Sequence, residues 1–223
     1  MLTDDPGTPG NGNFELNLAG TFEGTGRQRL WHLPEFDLNY GVGPNLQLNL
    51  QTAAVVLKRR GHGPVGGLGA TSAAIKWRFL DQEKTGVSVS IFPRIERAIY
   101  SSSVRRGLAE DGTRFFLPLE AARSFGPINL DIEVAALLST VGRAEWSYGL
   151  LGGTAITTNL DLMAELHGSG RANFFADRLT VNFGLRQKID RSTALVASLG
   201  HDLRTPESEP LALVSYCGLQ WEF

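Results

Sequence analysis

Hydrophobic and polar residues alternate with a period of two along most of this chain. The alternation first appears at Phe14 and recurs almost to the last residue, in segments of about ten residues. The 3.6-residue period of a helix is not sustained in any stretch, so the pattern predicts an all-β protein. The predicted strands are 13–23, 30–42, 46–57, 70–80, 87–97, 114–125, 128–138, 145–156, 160–168, 178–189, 193–200 and 211–223.

The connections between these segments alternate between short and long. The short ones are rich in turn residues and lie at 43–45, 82–86, 126–127, 157–159 and 190–192. The others, at 58–69, 98–113, 169–177 and 201–210, are longer and polar or rich in glycine, although the first, at 24–29, is shorter. An even number of strands, with short connections at one end and long connections at the other, is typical of outer-membrane barrels. These proteins have short periplasmic turns and long extracellular loops.

The pattern therefore predicts a single twelve-stranded antiparallel transmembrane β-barrel over residues 13–223. Residues 1–12 form an N-terminal periplasmic segment in this interpretation, and both termini lie on the periplasmic side. Loops 58–69 and 98–113 are expected to shape the outer mouth.

Each strand has an apolar series and a polar series of side chains, and alternation alone does not say which series faces outward. A soluble barrel or sandwich would bury the apolar series. Aromatic residues gather near the strand ends, as they do at the two edges of a bilayer, and this favours an apolar series in contact with lipid. The aromatics near the short turns are Phe14, Tyr40, Trp77, Phe79, Phe125, Trp221 and Phe223, and those near the long loops are Phe22, Phe115, Trp146 and Tyr148.

Composition adds limits to this interpretation. The formal net charge of −2 and the pI near 6.1 do not favour a nucleic-acid partner. The single cysteine, Cys217, excludes an intramolecular disulfide, and its place in the apolar series predicts a small lipid-facing filler. The N-terminus lacks the features of a secretory signal, which alone would suggest a cytoplasmic protein. The strand pattern favours instead a mature outer-membrane protein without its signal peptide.

The last six residues, GLQWEF at 218–223, resemble the terminal strand signature of bacterial outer-membrane barrels. Gly218, the alternating Leu219 and Trp221, and the final Phe223 carry this resemblance. It implies that the barrel assembly machinery reads this strand during biogenesis. It also implies that lipid covers the aromatic rings and that the last strand closes against the first.

Three further stretches extend the resemblance. They are FDLNYGVGPNLQL at 36–48, AIKWRFL at 74–80 and NFGLR at 182–186. They are similar to the phenol-degradation-associated (MetA-pathway) outer-membrane protein family. The resemblance implies a twelve-stranded barrel in contact with the lipid bilayer and lipopolysaccharide, and passage of small organic compounds. That family offers no catalytic residues to transfer.

The inward-facing positions predict a lumen with charged walls. The expected basic wall is Lys76, Arg78, Arg94, Arg114 and Arg186, and the expected acidic wall is Glu15, Glu35, Asp37, Asp131, Glu133 and Glu165. Charges inside a barrel need partners or water. The pattern is therefore compatible with a narrow charged channel for a small solute, or with a closed structural or partner-binding barrel held by an ion-pair network.

An enzyme is the third interpretation, with a hydrolase site at the extracellular rim built on His167 or His201. No nucleophile is fixed beside either residue by the sequence, and a metal site with His62 would need three loops to converge, so neither catalysis nor a cofactor is expected. Pro34, Pro93 and Pro118 interrupt predicted strands and are expected to mark bulges. Trp31 falls in the polar series of its strand unless the bulge at Pro34 shifts the register.

Overall fold

The computed structural model describes residues 1–171, 178–205 and 212–223. These residues form thirteen β-segments and two short helices. The β-segments are β1 (Phe14–Gly24), β2 (Gln28–Val42), β3 (Leu46–Arg59), β4 (Val65–Leu80), β5 (Ser88–Ile91), β6 (Arg94–Ala98), β7 (Thr113–Phe125), β8 (Ile128–Ser139), β9 (Glu145–Ala155), β10 (Leu160–Arg171), β11 (Arg178–Lys188), β12 (Thr193–Arg204) and β13 (Leu213–Glu222). The helices are α1 (Gln82–Thr85) and α2 (Ser101–Arg106). Position 211 and parts of the predicted loops 169–177 and 201–210 lie outside the described residues.

The described strands close into a barrel. Segments β5 and β6 are the two halves of one spanning strand, since both pair with β4 on one side and with β7 on the other. Every other strand pairs antiparallel with its neighbour in the chain, and β13 pairs with β1 to complete the ring. The predicted twelve-stranded antiparallel barrel is therefore confirmed, and such a ring has no unpaired edge.

The apolar series faces outward. Leu48 and Leu50 are 45% and 47% exposed, whereas Gln47 is only 6% exposed. In β4 the same contrast separates Ile75 from the buried Lys76. A soluble barrel would show the reverse, so the lipid-facing assignment is confirmed. Other exposed members of the series are Leu117, Leu119, Ile132, Val134 and Phe183, and Cys217 is exposed on the same face.

Aromatic rings pack together at both ends of the strands. Contacts near the short turns join Phe14 to Tyr40 at 4.6 Å, Phe14 to Phe223 at 5.9 Å and Trp77 to Phe79 at 5.6 Å between ring centroids. At the other end Phe22 packs on Trp31 at 5.4 Å. These clusters correspond to the two predicted aromatic belts.

The predicted bulge near Pro34 is present. The β2–β3 register shifts between His32 and Glu35, and the β1–β2 register shifts between Ala19 and Thr21. After the shift Trp31 lies opposite Phe22 on the lipid side. The bulge therefore places Trp31 on the apolar face of the strand, although strict alternation would place it on the polar face.

The prediction of bulges at Pro93 and Pro118 is wrong. Pro93 separates β5 from β6, but the register with β7 continues from Ile91 opposite Leu119 to Arg94 opposite Phe116. Pro118 also keeps its register with β8. Each proline removes one backbone donor from the ladder without inserting a residue.

The connections differ from the sequence prediction mainly in length. Because β3 extends to Arg59 and β4 begins at Val65, the predicted loop 58–69 shortens to residues 60–64. Helix α1 occupies the predicted turn at 82–86. None of the helices in the described part of the chain has the length and apolar character needed to span a bilayer.

Loop 99–112 folds over the long-loop end of the lumen. Helix α2 lies in this loop, and its Ser103 hydroxyl donates to the Leu68 carbonyl at 2.6 Å. Leu108 is 6% exposed and packs against the inward-facing apolar side chains of β3. Those side chains are Ala53, Val55 and Leu57. The loop therefore narrows this end of the barrel on its β3–β4 side.

The terminal strand fits tightly against β1. A Cβ atom on Gly218 would lie 2.6 Å from the Cβ of Ala19, so only glycine allows this approach. Phe14 and Phe223 exchange backbone hydrogen bonds of 2.6 and 2.9 Å. Closure by the last strand is confirmed, while recognition of Gly218, Leu219, Trp221 and Phe223 by the assembly machinery stays a prediction.

Candidate functional site: the charged lumen

Residues 1–5 of the N-terminal segment lie inside the barrel, which the sequence prediction of a periplasmic segment did not include. Residues 8–12 lie at the short-turn end, where the Thr8 hydroxyl donates to the Pro44 carbonyl at 3.2 Å, and their periplasmic position stays a prediction. The backbone N–H of Leu2 donates to both carboxylate oxygens of Glu165, at 2.9 and 3.0 Å, and the N–H of Thr3 donates to the same group. The N–H of Asp4 donates to Glu133 at 3.3 Å. Lumenal carboxylates thus satisfy backbone donors that would otherwise be buried without partners.

Glycines in the barrel wall make room for this segment. A Cβ atom on Gly149 would lie 2.0 Å from the hydroxyl oxygen of Thr3, and one on Gly184 would lie 2.7 Å from the sulfur of Met1. Gly149 lies opposite Glu133 in the β8–β9 register. We call the group formed by Lys76, Glu133, Gly149, Glu165 and Asn182 the lumen cradle.

Lys76 joins the segment to the opposite side of the cradle. Its ammonium group lies 3.2 Å from Asp4 and 3.3 Å from Glu120, and it also donates to the Asp5 carbonyl. The side chains of Lys76 and Glu120 are 3% and 0% exposed. Glu120 also accepts a 2.5 Å hydrogen bond from Ser90. The buried charges are therefore paired, as charges away from bulk water must be.

The predicted basic residues occupy different heights and sides of the lumen. Arg94 packs over Phe92 and Phe116, with its guanidinium carbon 5.3 and 5.4 Å from the ring centroids. Arg78 pairs with Asp81 at 3.3 Å by the short turns. Arg114 pairs with Glu96 and, at 3.0 Å, with Glu110 near the long loops. Arg186 lies on the far side of the barrel and pairs with Glu222 at 3.0 Å. Lys76 and Arg94 are the two of this predicted set that line the main cavity.

The predicted acidic residues divide into two groups. Glu133 and Glu165 hold the N-terminal segment, and Glu165 also accepts from Asn182 at 2.7 Å. The partners of these two carboxylates are backbone N–H groups of the segment and the Asn182 amide. Asp131, on the same strand as Glu133, does not line the main cavity. Glu15, Glu35 and Asp37 line the cavity on the opposite wall.

A cavity of about 940 Å³ remains between the segment and the wall formed by β1, β2, β3, β12 and β13. It reaches from Glu15 at one end of β1 to Glu23 near the other. These positions are about 27 Å apart along an extended strand, or about 20 Å along the axis of a barrel whose strands tilt by about 40°. The cavity therefore runs through most of the height of the barrel.

Amide and hydroxyl groups donate hydrogen bonds to the carboxylates of the acidic wall. Glu15 accepts from Asn17 at 2.9 Å and from Asn39 at 3.3 Å. Asp37 accepts from Asn49 at 2.5 Å. In the same wall Glu35 accepts from Thr21 and from Gln51, both at 2.7 Å. Within the described part of the chain, none of these three carboxylates forms an ion pair with Lys or Arg. The cavity consequently has an excess of negative charge on this side.

The histidines do not assemble a recognisable catalytic group. His167 lies in β10, and no hydrogen bond joins it to a Ser or Thr hydroxyl among the residues that the structure describes. Among the described residues, the His201 ring contacts the Asp202 carbonyl at 3.0 Å and the His62 ring contacts the Arg60 carbonyl at 3.2 Å. No group of three His, Cys, Asp or Glu residues suited to a metal ion occurs in the described ranges.

Solved outer-membrane channels and porins have the same fold as this barrel. An outer-membrane channel from Pseudomonas putida F1 matches with a TM-score of 0.79 at 12% identity, covering 99% of this chain and 98% of that one. This chain has the fold of an outer-membrane channel. The NanC porin matches with a TM-score of 0.67 at 8% identity, over 92% of this chain and 98% of that one. The CymD monoaromatic hydrocarbon channel matches with a TM-score of 0.58 at 11% identity, over 96% and 89%.

No protein-family model and no curated protein sequence matches the chain. At these identities the structural likeness establishes the fold, and it confirms the fold that the predicted family resemblance implied. The solved structures named above are channels or porins.

Proposed function

We propose that the barrel allows passive passage of small polar solutes across the bacterial outer membrane, with cations favoured over anions. The observation that carries this proposal is the cavity beside β1, which runs through most of the barrel height and is lined by Glu15, Glu35 and Asp37. Carboxylate-lined passages favour cations because they lower the electrostatic energy of a positive charge in a confined space. The solved channels of the same fold support passage in general.

The basic residues of the lumen do not cancel this preference. Lys76 is paired with Asp4 and Glu120. Arg94 stacks against Phe92 and Phe116 and also lines the cavity, but it is one cation against the three carboxylates Glu15, Glu35 and Asp37. The field across the cavity therefore points toward the wall that carries Glu15, Glu35 and Asp37. Such a field also orients zwitterionic solutes.

Recordings in planar lipid bilayers test the proposal. In a KCl gradient we expect discrete current steps and a reversal potential displaced toward that of K⁺. The triple variant Glu15→Gln/Glu35→Gln/Asp37→Asn should lose most of this displacement, because it keeps the amide hydrogen bonding and removes the charges. Glu83→Gln, on α1 outside the lumen, is the matched control and should behave as the wild type.

The alternative is the closed structural or partner-binding barrel, which the packed N-terminal segment favours. The change of electrophoretic mobility on heating shows whether the barrel is folded. A folded protein that never produces current steps would support the closed barrel and contradict passage. Anion selectivity in the wild type would contradict the role given to the acidic wall. Contact with lipopolysaccharide and with the assembly machinery remains part of the prediction for a barrel of this fold.

A further inference from the structure

The contacts of the N-terminal segment reveal what kind of molecule the lumen cradle can hold. Three consecutive backbone N–H groups, from Leu2 to Asp4, donate to Glu165 and Glu133. The Asp4 carboxylate and, one residue further along, the Asp5 carbonyl oxygen accept from Lys76. Donors at one end and acceptors at the other are also the arrangement in a short free peptide, whose ammonium group and carboxylate lie at opposite ends.

We propose that the lumen cradle is a binding site for zwitterionic peptides of about three residues, and that the N-terminal segment is a tethered occupant of this site. The inference deepens the proposed function, because it rests on a lumen that solutes can enter. Glu165 and Glu133 receive the ammonium and amide N–H groups of the peptide, and Lys76 receives its carboxylate. Charge-assisted hydrogen bonds of this kind are stronger than neutral ones.

The cradle is a built site and not only a group of acidic residues. Glu165 is 1% exposed and Lys76 2% exposed, and both point into the volume that the segment fills. Asn182 fixes the Glu165 carboxylate from the far side through a 2.7 Å hydrogen bond. Gly149 keeps the wall flat at the place where the second residue of the peptide, now Thr3, lies.

A ligand can bind only in the fraction of molecules whose N-terminal segment has left the cradle. The apparent dissociation constant is the intrinsic constant divided by that fraction, so the segment weakens apparent binding. Displacing the segment should therefore strengthen peptide binding. The structure offers two independent ways of displacing it.

The first variant is Gly149→Ala, whose new methyl group would overlap the Thr3 side chain. Gly152→Ala is its matched control on the same strand, because a Cβ there meets Leu130 at an ordinary 3.5 Å. The second variant is Asp4→Lys, which sets an ammonium group against Lys76 and leaves the barrel wall unchanged. If Gly149→Ala does not fold, Asp4→Lys still tests the inference.

The probe is the tripeptide Leu-Thr-Gly, which carries the N–H pattern of residues 2–4 and is zwitterionic at neutral pH. Calorimetry on the detergent-solubilised full chain should show binding to Gly149→Ala and Asp4→Lys at least tenfold tighter than to the wild type or Gly152→Ala. Blocking both ends of the peptide by acetylation and amidation should abolish binding. Adding Glu165→Gln to either displacing variant should weaken binding at least tenfold, whereas Glu145→Gln should not.

Absence of binding to both displacing variants, or equal binding of the free and the blocked peptide, would overturn the site. The calorimetric result does not depend on conductance, so the two proposals can fail separately. Peptide binding by a barrel that never conducts would contradict passage and support the cradle. Cation-selective conductance without peptide binding would support passage and contradict the cradle.

Discussion

Lys76 shows how one residue can stabilise the barrel and position its N-terminal segment. Its side chain is 3% exposed and contacts Asp4 and Glu120. Polar residues at such positions are costly unless every charge has a partner. The alternation of hydrophobic and polar residues predicts that Lys76 faces inward. It does not predict which carboxylates Lys76 contacts, because periodicity gives no information on distances between side chains across the lumen.

Replacing Lys76 by Met should destabilise the barrel strongly. Glu120 would be left buried without its cation, and removal of one partner from a buried pair costs about 3–5 kcal/mol. Urea unfolding of the refolded protein in phospholipid vesicles, followed by tryptophan fluorescence, measures this change in the free energy of unfolding.

The double variant Lys76→Met/Glu120→Gln is the control for this mechanism. It removes both charges, so its loss of stability should be smaller than that of Lys76→Met alone. A single variant as stable as the wild type would show that the buried pair contributes little.

At the scale of a strand, β3 shows the two environments of the barrel in adjacent residues. Leu50 is 47% exposed on the lipid side. Gln51 faces the lumen and donates to Glu35 at 2.7 Å. A substitution at Leu50 therefore places the new side chain in lipid, and one at Gln51 places it in the polar interior of the same strand.

Leu50→Arg should cost about 2–4 kcal/mol of unfolding free energy, because it places a charge against hydrocarbon near the membrane midplane. Gln51→Arg should cost less than about 1 kcal/mol, since the new guanidinium meets the Glu35 carboxylate in the lumen. Unfolding by guanidinium chloride in phosphatidylcholine vesicles gives both free energies. Equal costs at the two positions would contradict the assignment of faces.

The twelve spanning strands could be predicted from the sequence, because a period of two is a strong local signal. Their faces could also be predicted, except around the β2 bulge, where strict alternation puts Trp31 on the wrong side. Local irregularities were harder to predict. Pro34 coincides with a register shift, while Pro93 and Pro118 keep their register, since a missing N–H does not require an extra residue. Loop 58–69 was predicted too long because glycines within β4 look like loop residues in the sequence.

At the scale of the whole molecule, the main feature that the sequence did not reveal is the N-terminal segment inside the lumen. Residues 1–12 are polar and rich in Gly and Pro, as an extended tail would be. The placement of residues 1–5 depends on long-range partners such as Glu165 and on the space left by Gly149. A possible clue was the presence of glycines on inward positions of β9 and β11, which leave room for a second chain segment.

The segment also changes the meaning of the charged walls. On one side of the lumen the segment fills the space and pairs with Lys76. On the other side the wall that carries Glu15, Glu35 and Asp37 faces the cavity. We therefore propose a passage along one side of the lumen, next to the segment that occupies the other side. The central claim of this proposal is that the side cavity contains the ion path.

Cysteine modification during bilayer recording tests this claim most directly. In a Cys217→Ser background, Asn17→Cys introduces a thiol into the cavity and Leu18→Cys introduces one on the adjacent lipid-facing position. A water-soluble cationic methanethiosulfonate reagent should reduce the current of Asn17→Cys and leave that of Leu18→Cys unchanged. An unchanged current in Asn17→Cys, or a reduced current in Leu18→Cys alone, would contradict the account.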